Sequence, residues 1–276
     1  MVIQATDKDG DLRGVVAIGA SAGGVEALSK LAAGLSTDLP YAYLMALHMP
    51  PGAPSVLAQI VDRSGPLPAV TAENGASLEP ARIYVARPDH HLLVADHRVA
   101  LAQGTTQHGH APAINALFRS VALEFGSRAV GVLLSGVLDD GVLGLEAIRS
   151  QGGTTIGQSP ADALFPALPT SARDAGVLDQ QAAAADIGEA LRALSHREIQ
   201  DPNIKDSKKK DPKEVVMRGL QEKAKLARQL AESVHPGRLR RRYTALAEET
   251  EVALAALDER PAAGGTRPDE AGDVDG

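Results

Sequence analysis

The feature that most constrains this chain is a set of short, unbroken apolar runs, each closed by a turn and most followed by an amphipathic stretch. Val15–Ile18 runs into a glycine turn and then a helical pattern over Val25–Leu35. Tyr41–Leu47 is a second run and Ala129–Leu134 a third, the latter followed by a Gly-rich turn and a helical stretch over Val142–Ser150. Thr154–Gly157 reads as a further strand, with Ile83–Ala86 and Leu92–Val94 as weaker ones. A strand wet on one face alternates apolar and polar residues, whereas a continuous run means that both faces are covered. Such runs interleaved with helices predict an α/β fold, a doubly wound α/β/α sandwich on a mainly parallel sheet, over about residues 14–196.

The remainder is of a different kind. Residues 1–196 hold 12 Lys+Arg and 19 Asp+Glu, so the whole net charge of −7 belongs to them; the last 80 residues hold 16 of each sign. Residues 197–212, which end in DPNIKDSKKKDP, read as a charged linker. Beyond it Val216, Leu220, Ala224, Ala227, Ala231 and Val234 recur at helical spacing, His235-Pro236-Gly237 breaks the pattern, and Leu239, Tyr243, Leu246, Thr250, Ala253 and Leu257 resume it. A helical hairpin or short coiled-coil element is expected over 213–259, with a disordered tail over 260–276. The acidic balance argues against nucleic acid as a partner. No apolar run is long enough to insert in a membrane and the N-terminus lacks an export signal, so a cytoplasmic protein is expected.

The chain has no cysteine, which excludes a thiol nucleophile, a thiolate zinc site and an iron–sulfur cluster. Gly19-Ala20-Ser21-Ala22-Gly23 fits G-x-S-x-G, a pattern that sets a serine on a tight strand-to-helix turn, with the free amides of the helix start aimed at developing negative charge. The third position of a dinucleotide fingerprint would be Ser21 instead of Gly, and no lysine follows as a phosphate loop requires. His48 closes the run Tyr41–Leu47, and in a parallel sheet the carboxyl ends of strands line the binding crevice, so His48 is the candidate base for Ser21. Asp139 and Asp140 follow the third run; one of them caps the helix near Gly141 and the other orients the imidazole. His90, His91, His97, His108 and His110 lack acidic partners at ligand spacing and read as loop histidines, so neither a metal nor a cofactor is expected.

With these three strand ends in hand, the sequence resembles the catalytic domain of the CheB family, the chemotaxis protein-glutamate methylesterases. The likeness rests on A-I-G-A-S-A-G-G at 17–24, H-M-P-P-G at 48–52 and L-L-S-G-V-L-D-D-G at 133–141, supported by A-P-A-I-N-A-L-F at 111–118 and L-P-T-S-A at 168–172. It implies hydrolysis of glutamate γ-methyl esters on receptor proteins with release of methanol, and in some relatives deamidation of glutamine. It implies that Ser21 is the nucleophile, His48 the general base and acid, and Asp140 the orienting carboxylate. The partners it implies are a methylated chemoreceptor or a similar signalling protein.

The sequence also departs from the family pattern. Ala22 stands where Thr is frequent, Val137 and Leu138 replace the Met and Gly of S/T-G-M-G-x-D-G, and the stretch R-H-R-P-S-x-D reads H-G-H-A-P-A-I-N at 108–115. About fourteen residues precede the first strand, too few for the family's receiver domain. Regulation is therefore expected from a separate receiver-domain or kinase partner, or from the C-terminal helices. The altered stretch leaves two further readings: a catalytically weakened signalling or docking module, and a serine esterase with a different substrate.

Overall fold

The computed structural model describes residues 12–49, 52, 56–103, 111–196 and 212–258. Seven strands form one parallel sheet: β1 (Gly14–Ala20), β2 (Tyr41–Leu47), β3 (Ala69–Thr71), β4 (Arg82–Val85), β7 (Ala129–Leu133), β8 (Thr154–Gln158) and β9 (Gln180–Ala182), in the order β3-β4-β2-β1-β7-β8-β9. Along β1, Val15 and Ala17 join one core cluster while Val16 and Ile18 join the other, which is why this strand is apolar without alternation. Helices α1 (Gly24–Gly34), α2 (Leu57–Ser64) and α6 (Ile187–Ser195) cover the Val16 face, burying Leu28, Leu31, Val61 and Leu191. Helices α3 (Ile114–Phe125), α4 (Val142–Ser150) and α5 (Ala167–Asp174) cover the Val15 face with Leu117, Phe118, Ile148 and Leu168. Each such side chain, taken fully out of water, stabilises the fold by ~1.5–3 kcal/mol before its ordering entropy is counted.

One sequence expectation changes. The apolar run around Leu92–Val94 is not part of the large sheet. It forms β5 (His91–Ala95), which pairs antiparallel with β6 (Arg98–Ala102) as a separate ribbon. The turn between them, Asp96-His97, has φ of 54° and 56°, the pair of positive angles that suits a two-residue hairpin. The ribbon is apolar on both faces because both are covered. Leu92, Val94 and Val99 face the main core, while Leu93, Ala95, Ala100 and Ala102 join Ala113 and Ala116 against Leu230, Ala231, Val234 and Tyr243.

Leu230 and Ala231 lie on a C-terminal helix, α7 (Pro212–Ser233), Val234 just after it, and Tyr243 on a second C-terminal helix, α8 (Arg238–Asp258). Proline suits the first position of α7, where its missing N–H has no intrahelical acceptor to lose. Ala224 and Ala227 on α7 and Ala247 on α8 are buried, and Arg228 on α7 lies 2.6 Å from Glu251 on α8. The Tyr243 hydroxyl donates to the Val94 carbonyl at 3.2 Å, and Arg242 reaches Asp96 at 2.8 Å and also Glu124 on α3. The hairpin is thus fastened to the α/β unit by its own small core. The rest of the expected linker, 197–211, and the expected tail, 260–276, lie outside the described residues.

Candidate active site

Strand register brings the first two groups together. β1 and β2 are parallel neighbours with Ala20 opposite Leu47, so Ser21 and His48 leave adjacent strand ends side by side. The His48 amide donates to the Ala20 carbonyl at 3.1 Å. The chain order reverses between β1 and β7, and at such a switch point the sheet leaves a crevice beyond the carboxyl ends of its strands. A cleft of about 600 Å³ lies beyond the ends of β1 and β2, lined by Ser21, Gly23, Val25, His48, Met49 and Val56 among others.

The serine turn is bracketed from several directions. The Ser21 amide donates to the Ser135 carbonyl at 2.9 Å, and the Gly24 amide to the Ser21 carbonyl at 2.8 Å. The Ser135 hydroxyl donates to the Ala22 carbonyl at 2.8 Å and accepts from the Phe165 amide at 2.9 Å, while the Ser135 amide donates to Gln158 Oε1 at 2.7 Å. Two glycines permit this density. Gly23 has φ of 72°, and a Cβ there would stand 2.8 Å from Ser135 Oγ; a Cβ on Gly136 would stand 2.9 Å from that of Ser21.

The third group arrives from the loop after β7. His48 Nε2 lies 2.7 Å from Asp140 Oδ2. An ionised carboxylate only accepts, so this nitrogen carries the proton and donates. The same carboxylate accepts from two amides at the start of α3, Ile114 to Oδ2 at 2.8 Å and Asn115 to Oδ1 at 3.0 Å. Burial alone would raise the Asp140 carboxyl; the hydrogen bonds from His48 and from the Asn115 and Ile114 amides, with the imidazole's charge, hold it below the usual carboxylate range. The positive end of the α3 dipole acts in the same direction.

Comparison with known proteins bears on this arrangement. The family model described as CheB methylesterase matches residues 16–191, well over half of the chain. The chain belongs to the CheB methylesterase family. The fold resembles the crystal structure of the Thermotoga maritima CheB methylesterase catalytic domain, with a TM-score of 0.62 and 28% identity, covering 66% of this chain and 98% of that one. Among curated relatives, a "Protein-glutamate methylesterase/protein-glutamine glutaminase 3" of Anaeromyxobacter dehalogenans is 40% identical over 167 residues, 60% of this chain and 49% of its own length. A "Protein-glutamate methylesterase/protein-glutamine glutaminase 5" of Myxococcus xanthus is 34% identical over 191 residues, 68% of this chain and 54% of its own length. The chain therefore spans about half the length of these curated relatives.

Within this CheB frame, Ser21, His48 and Asp140 all follow the carboxyl ends of central strands, with Asp140 bonded to His48, and Asp139 does not join them. Asp139 is exposed. The expectation that one of the two aspartates caps the helix near Gly141 is corrected: the amides of Gly141 and Gly144 at the start of α4 are taken by Asn115 Oδ1, at 3.1 and 2.7 Å. Asp140 caps a helix too, but it is α3. Leu138 departs from glycine in the family pattern, yet the loop still delivers Asp140 to His48. Leu138 does so by taking φ of 65° itself, 61% exposed, at a cost of ~1–2 kcal/mol for a residue with a Cβ.

Of the remaining histidines, His91 is buried and its Nδ1 accepts from the Ala113 amide at 3.1 Å, so it helps to cap α3. His90 Nδ1 contacts the Pro88 carbonyl at 3.1 Å, and His97 meets the Phe125 ring edge-on. His108 and His110 lie outside the described residues. No cluster of three or more His, Asp or Glu side chains suited to a metal occurs among the described residues, and no described helix is long and apolar enough to cross a membrane.

Sequence reasoning singled out neither Ser135 nor Asn115, and its reading of His91 as a loop histidine is corrected: His91 is the buried first residue of β5. Their roles depend on partners 20 or more positions away, to which no local pattern points.

Proposed function

We propose that this chain hydrolyses γ-methyl esters of glutamate side chains in a protein substrate, and side-chain amides of glutamine at the same centre. The observation that carries this reading is the placement of Ser21 and His48 at register-matched strand ends in one cleft, with Asp140 bonded to the imidazole. The names of the curated relatives supply the substrate class. His48 Nδ1, the ring nitrogen not committed to Asp140, takes the Ser21 proton as Oγ attacks the ester carbonyl. The tetrahedral oxyanion is met by amides at the start of α1, where the first N–H groups lack intrahelical acceptors. The C–OCH₃ bond then breaks, His48 returns the proton to the departing methoxide, and methanol leaves. Water activated by His48 hydrolyses the acyl-serine to free glutamate. With glutamine the same steps release ammonia. Asp140 stays ionised throughout and supports the imidazolium.

The substrate in this reading is a methylated chemoreceptor or a related signalling protein, met in the cytoplasm. A separate receiver-domain or kinase partner would bind through α7 and α8. The apolar side chains exposed around Ser21, Val25, Val56, Val137, Leu138 and Phe165, favour a docked protein segment over a small polar ester. The test is methanol release from methylated receptor by the protein and by Ser21→Ala. The substitution is expected to reduce the rate by ~10⁴-fold or more with the fold intact; equal release by both proteins refutes the assignment.

A further inference from the structure

We propose that Asn115 is a positioning residue, a side chain that reaches neither substrate nor Ser21 but fixes where Asp140 stands. This rests on reading Ser21, His48 and Asp140 as the catalytic set. The loop that carries Asp140 has little packing of its own, since Val137, Leu138 and Asp139 are all exposed. Its end must nevertheless be held to within a few tenths of an ångström for the imidazole to be aimed. The structure shows what holds it: an exchange of caps between two helices.

Asp140 gives its carboxylate to the first turn of α3, accepting from the amides of Ile114 and Asn115. Asn115 gives its side-chain oxygen to the first turn of α4, accepting from Gly141, the residue after Asp140, and from Gly144. Asp140 is thereby pinned on both sides by one residue: its carboxylate by the Asn115 backbone, the peptide that follows it by the Asn115 side chain. The two helix starts touch closely, since a Cβ on Gly144 would stand 3.2 Å from Asn115 Cα and 2.6 Å from Phe118 Cβ. Behind α3, Ala113 and Ala116 pack in the cluster of Leu230, Val234 and Tyr243, so the platform does not recoil. An amide suits position 115 chemically. It accepts two N–H bonds, as a carboxylate would, without adding a second negative charge beside Asp140.

The test separates positioning from general stability. In Asn115→Ala the kcat for ester hydrolysis is expected to fall by ~10²-fold, the loss typical of a misplaced catalytic group, with KM within about twofold. The unaltered protein is expected to show a low-field NMR signal from the His48 Nε2 proton bonded to Asp140, and in the alanine variant that signal is expected to weaken or vanish. Asn115→Asp restores the acceptor and is expected to recover both the signal and kcat to within about tenfold. Asn115→Gln keeps the amide but moves its oxygen by one methylene; it covers the case in which the alanine variant does not fold, and its kcat should fall while its melting temperature holds.

Unchanged kcat and an unchanged low-field signal in the alanine and glutamine variants would overturn the proposal. So would a loss of kcat that the aspartate variant does not relieve. The NMR signal needs no turnover. A protein inert toward esters, whose signal still depends on Asn115, would sink the catalytic reading and leave the positioning role standing.

Discussion

The two halves of the site are built by different physics. Ser21 and His48 are placed by the sheet: two parallel strands in register end at the same level, and the residues one step beyond them stand side by side in one cleft. Asp140 is placed by helix starts. Its position depends on an exposed loop, two α3 amides and an asparagine 25 residues earlier that ties down α4. The first half inherits the stiffness of a buried sheet. The second is a set of hydrogen bonds, each worth ~1 kcal/mol net, and somewhat more where a charge takes part. The strand half is therefore expected to withstand changes in surface loops, and the cap half to carry most of the site's sensitivity.

Asp140→Asn should break the comparison most sharply. It keeps the shape but removes the charge that selects the imidazole tautomer, and kcat is expected to fall by ~10⁴-fold. Asp139→Asn, at the exposed neighbour, should stay within about twofold. Ester hydrolysis by the two variants decides, and the reverse order would mean that the other carboxylate serves His48.

Gly136→Ala probes the strand half. The added methyl would press on Ser21 Cβ at 2.9 Å and on Leu168 Cδ2 at 2.6 Å. A fall of ~10²-fold in fluorophosphonate labelling of Ser21 is expected, with ~1–3 kcal/mol of stability lost in urea titration. Normal labelling would show that the serine turn is looser than its bracket of hydrogen bonds implies.

The smallest effect is one of pH on stability. The Asp140 carboxyl is held below its usual range in the folded protein, so its contribution is fully present above the unfolded value of ~3.9 and is lost as pH falls through the lower folded value. The difference in urea midpoint between the protein and Asp140→Asn should be largest near neutral pH and should close in acid. A gap that persists unchanged at low pH would remove the ionised carboxylate from the account of what holds α3.

This division also explains what could be read in advance. The strand half was legible because its signals are local: an unbroken apolar run marks a covered strand, and the residue after it marks the crevice. The cap half was not. Asp139 and Asp140 are adjacent and chemically alike, and spacing alone left either one free to meet the histidine; resemblance favoured Asp140, and the structure brings that residue to the imidazole through the start of α3. Leu92–Val94 misled for a related reason. A ribbon buried on one side by the main core and on the other by Tyr243 and Leu230 looks, in sequence, like any strand covered on both faces. The covering residues lie more than 130 positions away, beyond the reach of any local pattern.

The seating of the C-terminal hairpin has a consequence for how this chain can be taken apart. α7 and α8 meet the rest through their own cluster, the Tyr243–Val94 bond and the Arg242 pairs. Were the covalent link between the two units cut, these contacts would remain, and the severed hairpin would become a ligand whose occupancy follows dilution. The intact backbone supplies it at an effective concentration in the millimolar range for a short connection. Whatever competes for the surface of the β5–β6 ribbon must outbid that figure, which makes the hairpin a built-in standard against which any rival binder is weighed.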